Sequence, residues 1–371
     1  MNKILLVYGG NSVEHEISII TALQIKNKYK GKYNIDLCYL YKGNFYFSKK
    51  LINISFYKNV EKNIKHIKKI YFKSNKNYFR YNFKKIHFDA VWIVSHGKNC
   101  EDGTLASYFK TMNIKVISEN IYSACIGQDK VLSKKILNNF NLDFFEITEH
   151  SFSYDLEHII KQANDIGFPL IAKPSTLGSS VGVKVVHDTN ELIDAIEHLL
   201  YLTPSIIIEK NINHFEEYNI AAFRVKNKLL ISEIEKVNKD KVLSYSDKYV
   251  NETKSMYSQP KELPAKISKD LKEKIETAAI EIYNKLKAQY IIRIDFIYDY
   301  KANVLYFNEI NNIPGALSLY LFKAKGYDET SIIDMYIDEG LYQCEKDEKY
   351  ITTYKNNIFT TDKFINVKIN K

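Results

Sequence analysis

The sequence predicts an α/β protein that opens on a mostly parallel, open sheet, and three observations carry that prediction. The first is the order apolar strand, glycine turn, helix. KILLVYG (3–9) is stopped by Gly9-Gly10, and EHEISIITALQIKN (14–27) then places apolar residues at helical spacing. The second is FDAVWIVSHG (88–97), which repeats the scheme with a buried strand ending in polar residues and Gly97. The third is the pair IIRIDFIYD (291–299) and NVLYFNEIN (303–311), two strands separated by a short turn. Open sheets of this kind place their sites outside the carboxyl ends of the strands, where Glu14 and His96 fall.

The remaining elements follow in order. Residues 44–86 fit less neatly and read as a helix and irregular strands inserted in the first domain. DKVLSKKILNNF (129–140) reads as one helix with Asp129 near its start, where a carboxylate suits the positive end of the dipole. FPLIAKP (168–174) and VGVKVV (181–186) are β-like runs around a glycine loop. NELIDAIEHLL (190–200) is an amphipathic helix and SIIIEKNI (205–212) a strand. NIAAFRV and KLLISEIEKV are two further strands, followed by a polar loop over 238–260 and a helix over 269–286. Past about 345 the chain is polar and reads as a loosely attached tail.

Composition narrows the function. With 371 residues, 45% hydrophobic and 26% charged, the chain has the makeup of a globular protein of two or three domains. The net charge of +9 invites a nucleic-acid reading, most of all for the basic, aromatic-rich stretch around 58–85. Basic and acidic residues are otherwise interspersed, and no RNA- or DNA-binding signature is present, so the charge is read as solvated surface. The four cysteines are widely spaced without CxxC, which argues against structural zinc or disulfides and for a reducing compartment. The N-terminus enters a strand directly, and no apolar run approaches the ~20 residues of a membrane helix. A soluble, cytoplasmic protein with no membrane or nucleic-acid partner is expected.

Two segments carry chemistry. In the 291–311 hairpin, period-two alternation puts Arg293 and Asp295 on one face and Glu309 and Asn311 on one face of the next strand. A turn centred near Ala302 sets Asp295 opposite Glu309. Two carboxylates and an amide make an all-oxygen site suited to Mg²⁺, completed by substrate phosphates. The loop KPSTLGSSVGV (173–183) supplies the complement: glycines that let backbone approach a phosphate chain, serine hydroxyls, and Lys173 as a point charge. Its order is not that of a Walker loop. Glu209-Lys210, at the end of an apolar strand, could hold a purine amino group and ring nitrogen, and Glu217 could accept from ribose hydroxyls.

Taken together, YGGNSVEHEIS (8–18), HGKNCEDGTL (96–105), QDK (128–130), KPSTLGSSVGV, EKNI (209–212), DKY (247–249) and RIDF…NEINNIPG (293–315) resemble, in order and spacing, the ATP-grasp ligases, and within them the D-alanine–D-alanine ligase family. The resemblance runs from about residue 3 to about 325. It implies an ATP-grasp architecture: an N-terminal Rossmann-like domain (1–115) with the first D-alanine site, a small central α+β domain (116–204), and a C-terminal α+β domain (205–345) with a lid at 238–260. The tail is 346–371, and ATP lies between the last two domains. The resemblance assigns Lys130, Lys173 and Ser180 to the phosphates and Glu209, Lys210, Ile212 and Glu217 to adenine and ribose. Asp295, Glu309 and Asn311 would hold two Mg²⁺ ions, with Mn²⁺ as an alternative. Glu14 would take the ammonium of the first D-alanine and be tied by Ser179 and Tyr249, with His96 near that amino acid's carboxylate and Lys248 on the lid. Arg293 and the Gly315 N–H would steady an oxyanion. The reaction implied forms an acyl phosphate that a second D-alanine attacks, giving a dipeptide for peptidoglycan precursors, in a homodimeric enzyme.

The sequence departs from that family at Cys100, Ala106 and Gln128, and more seriously after Pro314-Gly315. There ALSLYLF (316–322) puts Tyr320 where a serine would bind the second carboxylate, with Leu321 after it and Ser318 as a substitute. The acceptor therefore stays open between D-alanine and alternatives such as D-serine or D-lactate.

Overall fold

A computed structural model describes residues 2–237 and 261–351. The N-terminal strand β1 (Lys3–Gly9) is buried at six of its seven positions, as expected of a strand with a neighbour on each side. It pairs in parallel with β2 (Asn34–Tyr41) and with β7 (Ala90–Ile93), and β7 in turn pairs in parallel with β8 (Val116–Ile117). Helix α1 (His15–Lys28) connects β1 to β2. Two antiparallel strands, β3 (Asn44–Phe47) and β4 (Lys68–Ile70), extend the sheet to the order β4-β3-β2-β1-β7-β8. Between β3 and β7 the insertion consists of 3-10 turns, one helical turn, α2 (Val60–Asn63), and a separate hairpin of β5 (Tyr78–Tyr81) and β6 (Lys84–His87). Helix α3 (Thr104–Thr111) follows β7.

Helices α4 (Ile121–Gln128) and α5 (Lys130–Ile136) lead into a four-stranded antiparallel sheet of order β11-β10-β12-β9. Its strands are β9 (Phe144–Thr148), β10 (Leu170–Pro174), β11 (Lys184–Val186) and β12 (Ser205–Lys210). Helices α6 (Glu149–Tyr154), α7 (Leu156–Ile166) and α8 (Thr189–Leu200) accompany it, and the last two close its separate apolar core through Ile159, Leu192, Ile196 and Leu199. The expected helix over 129–140 stops at Ile136, and Asn138–Phe140 form a 3-10 turn instead. The Asn141 amide donates to the carbonyl of Lys134, satisfying one of the helix's last acceptors with a side chain.

The third sheet is antiparallel, in the order β16-β15-β13-β17-β18, with β14 beside β13. Its strands are β13 (Phe215–Val225), β14 (Lys228–Ile231), β15 (Glu235–Val237), β16 (Lys261–Glu262), β17 (Ile292–Asp299) and β18 (Val304–Asn311), backed by helix α9 (Lys269–Lys285). The run KLLISEIEKV, expected as one strand, is two. Ser232 bridges the break, its N–H on the Ala221 carbonyl and its hydroxyl accepting the Ala221 N–H, which frees β14 and β15 to pair with different ends of β13. Helix α10 (Leu319–Ala324) and helix α11 (Glu329–Asp347) finish the described chain, so the residues just past 345 are the last turn of a helix and not yet tail.

Helix α11 fastens the C-terminal sheet to the N-terminal one. The buried Tyr336 ring stacks against Trp92 of β7 (5.2 Å between centroids), Phe223 of β13 (5.7 Å) and Tyr290 (4.9 Å), so one aromatic side chain contributes to the core on both sides. Tyr29 and Tyr33 donate their hydroxyls to Asp334 and Asp338 of the same helix. The helix also approaches β8 closely at Gly340, where an added Cβ would lie 2.5 Å from the Ile117 side chain. Gly340→Ala is therefore expected to overpack this joint and lower stability by about 1–3 kcal/mol, measured by urea denaturation.

Candidate active site

The site lies where all three sheets meet. Glu14 stands at the carboxyl end of β1 as the N-cap of α1, yet its side chain makes no capping bond to its own helix. It points instead across the molecule to Ser179, whose hydroxyl donates to Oε1 at 2.7 Å, joining residues 165 apart in sequence. Two glycines make room for this carboxylate. A Cβ at Gly178 would sit 2.7 Å from Oε1, and one at Gly97 would sit 3.2 Å from Oε2. The glycine loop was expected to use its glycines for approach to phosphate. Gly178 instead has an ordinary φ and is small because Glu14 is there, whereas Ser179 and Ser180 occupy the left-handed region at φ 56° and 58°. Strained non-glycine backbone of this kind clusters at ligand-binding turns. Between Glu14, Gly97 and the loop lies a cleft of about 500 Å³, which Tyr41 and Lys42 also line.

Beside Glu14 sit two groups of opposite fate. His96 is buried, which holds its imidazole neutral with a pKa of about 4. Glu101, which the sequence reading passed over, is also buried; desolvation and the nearby Glu14 charge push its carboxyl above the usual range. It accepts the N–H groups of Gly97 (2.6 Å) and Ile313 (2.9 Å), tying the loop after β7 to the loop after β18. Its signal was its place in HGKNCEDG, but nothing in the residue type distinguishes it from the half-buried Asp102 beside it in sequence. Cys100 packs against Gly10, where a Cβ would fall 2.7 Å from its sulfur, and burial raises its thiol to about 12.

The loop is clasped from α4 and α5. The Gln128 amide donates to the Thr176 carbonyl (2.9 Å), the Lys130 N–H to the Ser175 carbonyl (2.9 Å), and the Lys130 ammonium to the Leu177 carbonyl (2.8 Å). Asp129 caps α5 by accepting the Val131 and Leu132 N–H groups and also takes the Ser175 hydroxyl. Gln128, noted in the sequence as a mere departure, is thus part of the clasp.

Below the loop, Lys130, Lys173, Glu209, Ile212, Glu217 and Glu309 line one cleft between the central and C-terminal sheets, with Ser180, Lys210, Arg293 and Asp295 at its wall. Glu209 lies at this cleft with its carboxylate turned to two lysines. It is 1% exposed and ion-paired with Lys134 (2.6 Å) and with Lys173, so its carboxylate is already engaged and orients the Lys173 ammonium. Burial alone would raise its pKa, but the two ammonium groups outweigh that and hold it at about 2. Lys134, itself 1% exposed and also donating to the Phe307 carbonyl, was missed because it reads as one of two adjacent lysines on a helix. Lys210 likewise turns its ammonium to the carbonyls of Ile166 and Gly167, satisfying the end of α7.

The hairpin register places Asp295 opposite Glu309 and Arg293 opposite Asn311. The pairing nearer the turn is shifted by one, Phe296 to Phe307, so a β-bulge at Asn308 brings Glu309 into line with Asp295. Asn308, extruded there, accepts from Lys173 at 3.3 Å. Arg293 grips Asp295 with two bonds of 2.7 Å, and Asn311 donates to the same carboxylate at 3.2 Å. Burial pushes the Asp295 carboxyl up, Arg293 pulls it back, and Glu309 and Glu217 raise it again, leaving it above its ordinary value. Two facing carboxylates that repel one another beside an amide oxygen are a donor set that a hard divalent cation would relieve.

The stretch after Pro314 forms a left-handed turn, with Ala316, Leu317 and Ser318 at φ 50°, 52° and 49°. Thr21 of α1 holds it by accepting the Ala316 N–H at 3.1 Å. Ser318 is buried, and its hydroxyl has no partner among the described residues. Tyr320 donates its hydroxyl to the buried Glu235 at 2.9 Å, with Lys261 3.2 Å from the same carboxylate. Leu321 is fully buried in the apolar core, so its side chain serves packing. Lys248 and Tyr249, with the expected lid, lie outside the described residues.

A glycine-serine loop and two antiparallel sheets that close on a lysine-lined cleft, beside an open parallel sheet that contributes a carboxylate, define an ATP-grasp ligase. The sequence matches the family models described as D-ala D-ala ligase N-terminus over residues 3–118 and D-ala D-ala ligase C-terminus over residues 137–338. A D-alanine--D-alanine ligase of Thermosipho africanus is 37% identical over 369 residues, covering 97% of this chain and 98% of that protein. The chain belongs to the D-alanine–D-alanine ligase family. Among solved structures, the D-alanine-D-alanine ligase from Coxiella burnetii shares the fold with a TM-score of 0.80 over 94% of this chain and 96% of that one, at 20% identity. The VanG D-Ala:D-Ser ligase from Enterococcus faecalis has a TM-score of 0.77 at 25% identity, over 91% of this chain and 99% of that one.

Two outcomes follow. Gly178→Ala would displace only the flexible end of Glu14, so the melting temperature should stay near that of the parent while kcat/KM for the first amino acid falls on the order of a hundredfold. Glu209 is depressed from its ordinary 4.5 to about 2, so its stabilisation is complete above pH 4.5 and lost as pH falls toward 2. Glu209→Gln should flatten that part of the urea-stability profile, and at pH 7 it should cost about 3–5 kcal/mol by leaving two buried ammonium groups unpaired.

Proposed function

We infer that the chain joins two D-alanines into D-alanyl-D-alanine at the expense of ATP, a dipeptide for peptidoglycan precursors. The observation that supports this reading most is the Glu14–Ser179 hydrogen bond, which joins the Glu14 carboxylate to the loop lining the cleft between the central and C-terminal sheets. Glu14 holds the ammonium of the first D-alanine, and the neutral His96 lies by its carboxylate without adding charge. Lys130 and Lys173 hold the ATP phosphates, Lys173 aimed by Glu209 and Asn308. Ile212 and Glu217 face adenine and ribose. Asp295, Glu309 and Asn311 would hold Mg²⁺, which supplies charge neutralisation at the transferring phosphoryl group.

In the first step the carboxylate of the first D-alanine takes the γ-phosphoryl group, and ADP leaves. In the second, the amine of the second D-alanine attacks the acyl phosphate, and phosphate departs from the tetrahedral intermediate. Arg293, oriented by its two bonds to Asp295, and the Gly315 N–H stabilise the oxyanion. On the acceptor side, Tyr320 has committed its proton to Glu235, so its oxygen offers lone pairs toward a donor.

Purified protein with Mg·ATP and D-alanine should release phosphate and yield D-alanyl-D-alanine by mass spectrometry, with no turnover of L-alanine. Product formed only with D-serine as acceptor would move the reading to a mixed ligase, and no product would overturn it. Glu309→Gln is expected to lower kcat by on the order of a hundredfold or more while ligand-free stability is retained; undiminished turnover would remove Glu309 from the metal set.

A further inference from the structure

We propose that the basic edge of the N-terminal domain, tipped by Phe83, is a docking surface for an anionic lipid bilayer. The segment KNIKHIKKIYFKSNKNYFRYNFKKIHF (62–88) holds nine lysine or arginine residues and no carboxylate. All nine are exposed, and among the described residues none takes part in an ion pair, although many lysines elsewhere in the chain do. Five of them lie on the edge strand β4 and the neighbouring hairpin β5–β6, and the other four on the turns before and after β4.

The hairpin carries two internal costs. Arg80 and Lys85 are set directly opposite one another, an unfavourable cross-strand pair of like charges. At the turn, Asn82 and Phe83 both adopt left-handed backbone (φ 47° and 63°), which is strained for a bulky aromatic residue, and the Phe83 ring is 98% exposed. An apolar ring held at the tip of a rigid hairpin, with cations behind it, matches the layering of a bilayer surface: acyl chains first, then phosphates. A single-stranded nucleic acid would need aromatic faces laid open on the sheet. The ring on that face, Tyr78, is instead covered by the Lys85 ammonium, 4.8 Å from its centroid.

The test is co-sedimentation of the full chain with phosphatidylcholine vesicles, with and without phosphatidylglycerol, at low salt and at about 0.5 M salt, where charges are screened within a few ångströms. Binding is expected only to the anionic vesicles and only at low salt. Phe83→Asn, which suits the left-handed turn, should weaken it several-fold. The double change Lys84→Glu with Lys85→Glu should weaken it on the order of tenfold or more. Both variants should keep the phosphate release of the parent with Mg·ATP and D-alanine, which separates this proposal from the ligase reading. No sedimentation, equal sedimentation with neutral vesicles, binding indifferent to both variants, or capture by an oligonucleotide in place of vesicles would overturn it.

Discussion

Between the central and C-terminal sheets one carboxylate, Glu209, is buried with two ammonium groups, and the geometry of the nucleotide cleft depends on that cluster. A lone charge in this position would be prohibitively costly, and a single pair would barely offset its own desolvation. With Lys134 anchored to the Phe307 carbonyl and Lys173 to Asn308, the cluster gains the additional hydrogen bonds that make burial tolerable. It also spans β12, α5, β10 and β18, so the spacing of the two sheets and the direction of Lys173 are set by the same contacts. The cluster thus frames the cleft electrostatically and fixes the Lys173 ammonium at its wall.

The bulge in β18 belongs to the same frame. A regular hairpin continued from the turn would have set Asn308 opposite Asp295. Inserting one extra residue brings Glu309 into that place and turns Asn308 toward Lys173. The irregularity therefore serves both clusters at once, lining up the two carboxylates and completing the lysine's hydrogen bonds.

Much of this was legible in the sequence, for identifiable reasons. Alternation in RIDF and NEIN put the polar residues on one face, and the Asp295–Glu309 pairing was reached from an assumed turn at Ala302 whose one-residue error the bulge cancels. The Glu14–Ser179 pair came from the resemblance to the ligase family. What was hidden depends on packing over long sequence separations. Lys134 looks like a solvated helix residue until a sheet closes over it, and Glu101 looks no different from its half-buried neighbour Asp102. The smallness of Gly178 has its cause 164 residues away, in Glu14. Gln128 and the break at Ser232 are local changes whose partners lie in other elements.

The bond from Ser179 to Glu14 has a thermodynamic consequence. On the proposed assignment, the loop that would cover the nucleotide also fixes the carboxylate that would hold the first amino acid, so the position of that loop is a variable common to both ligands. Linkage then demands reciprocity: by whatever factor bound nucleotide tightens the hold on the first amino acid, the amino acid must tighten the hold on nucleotide by the same factor. Neither substrate has a private affinity, and a change in the loop that weakens one site is felt at the other.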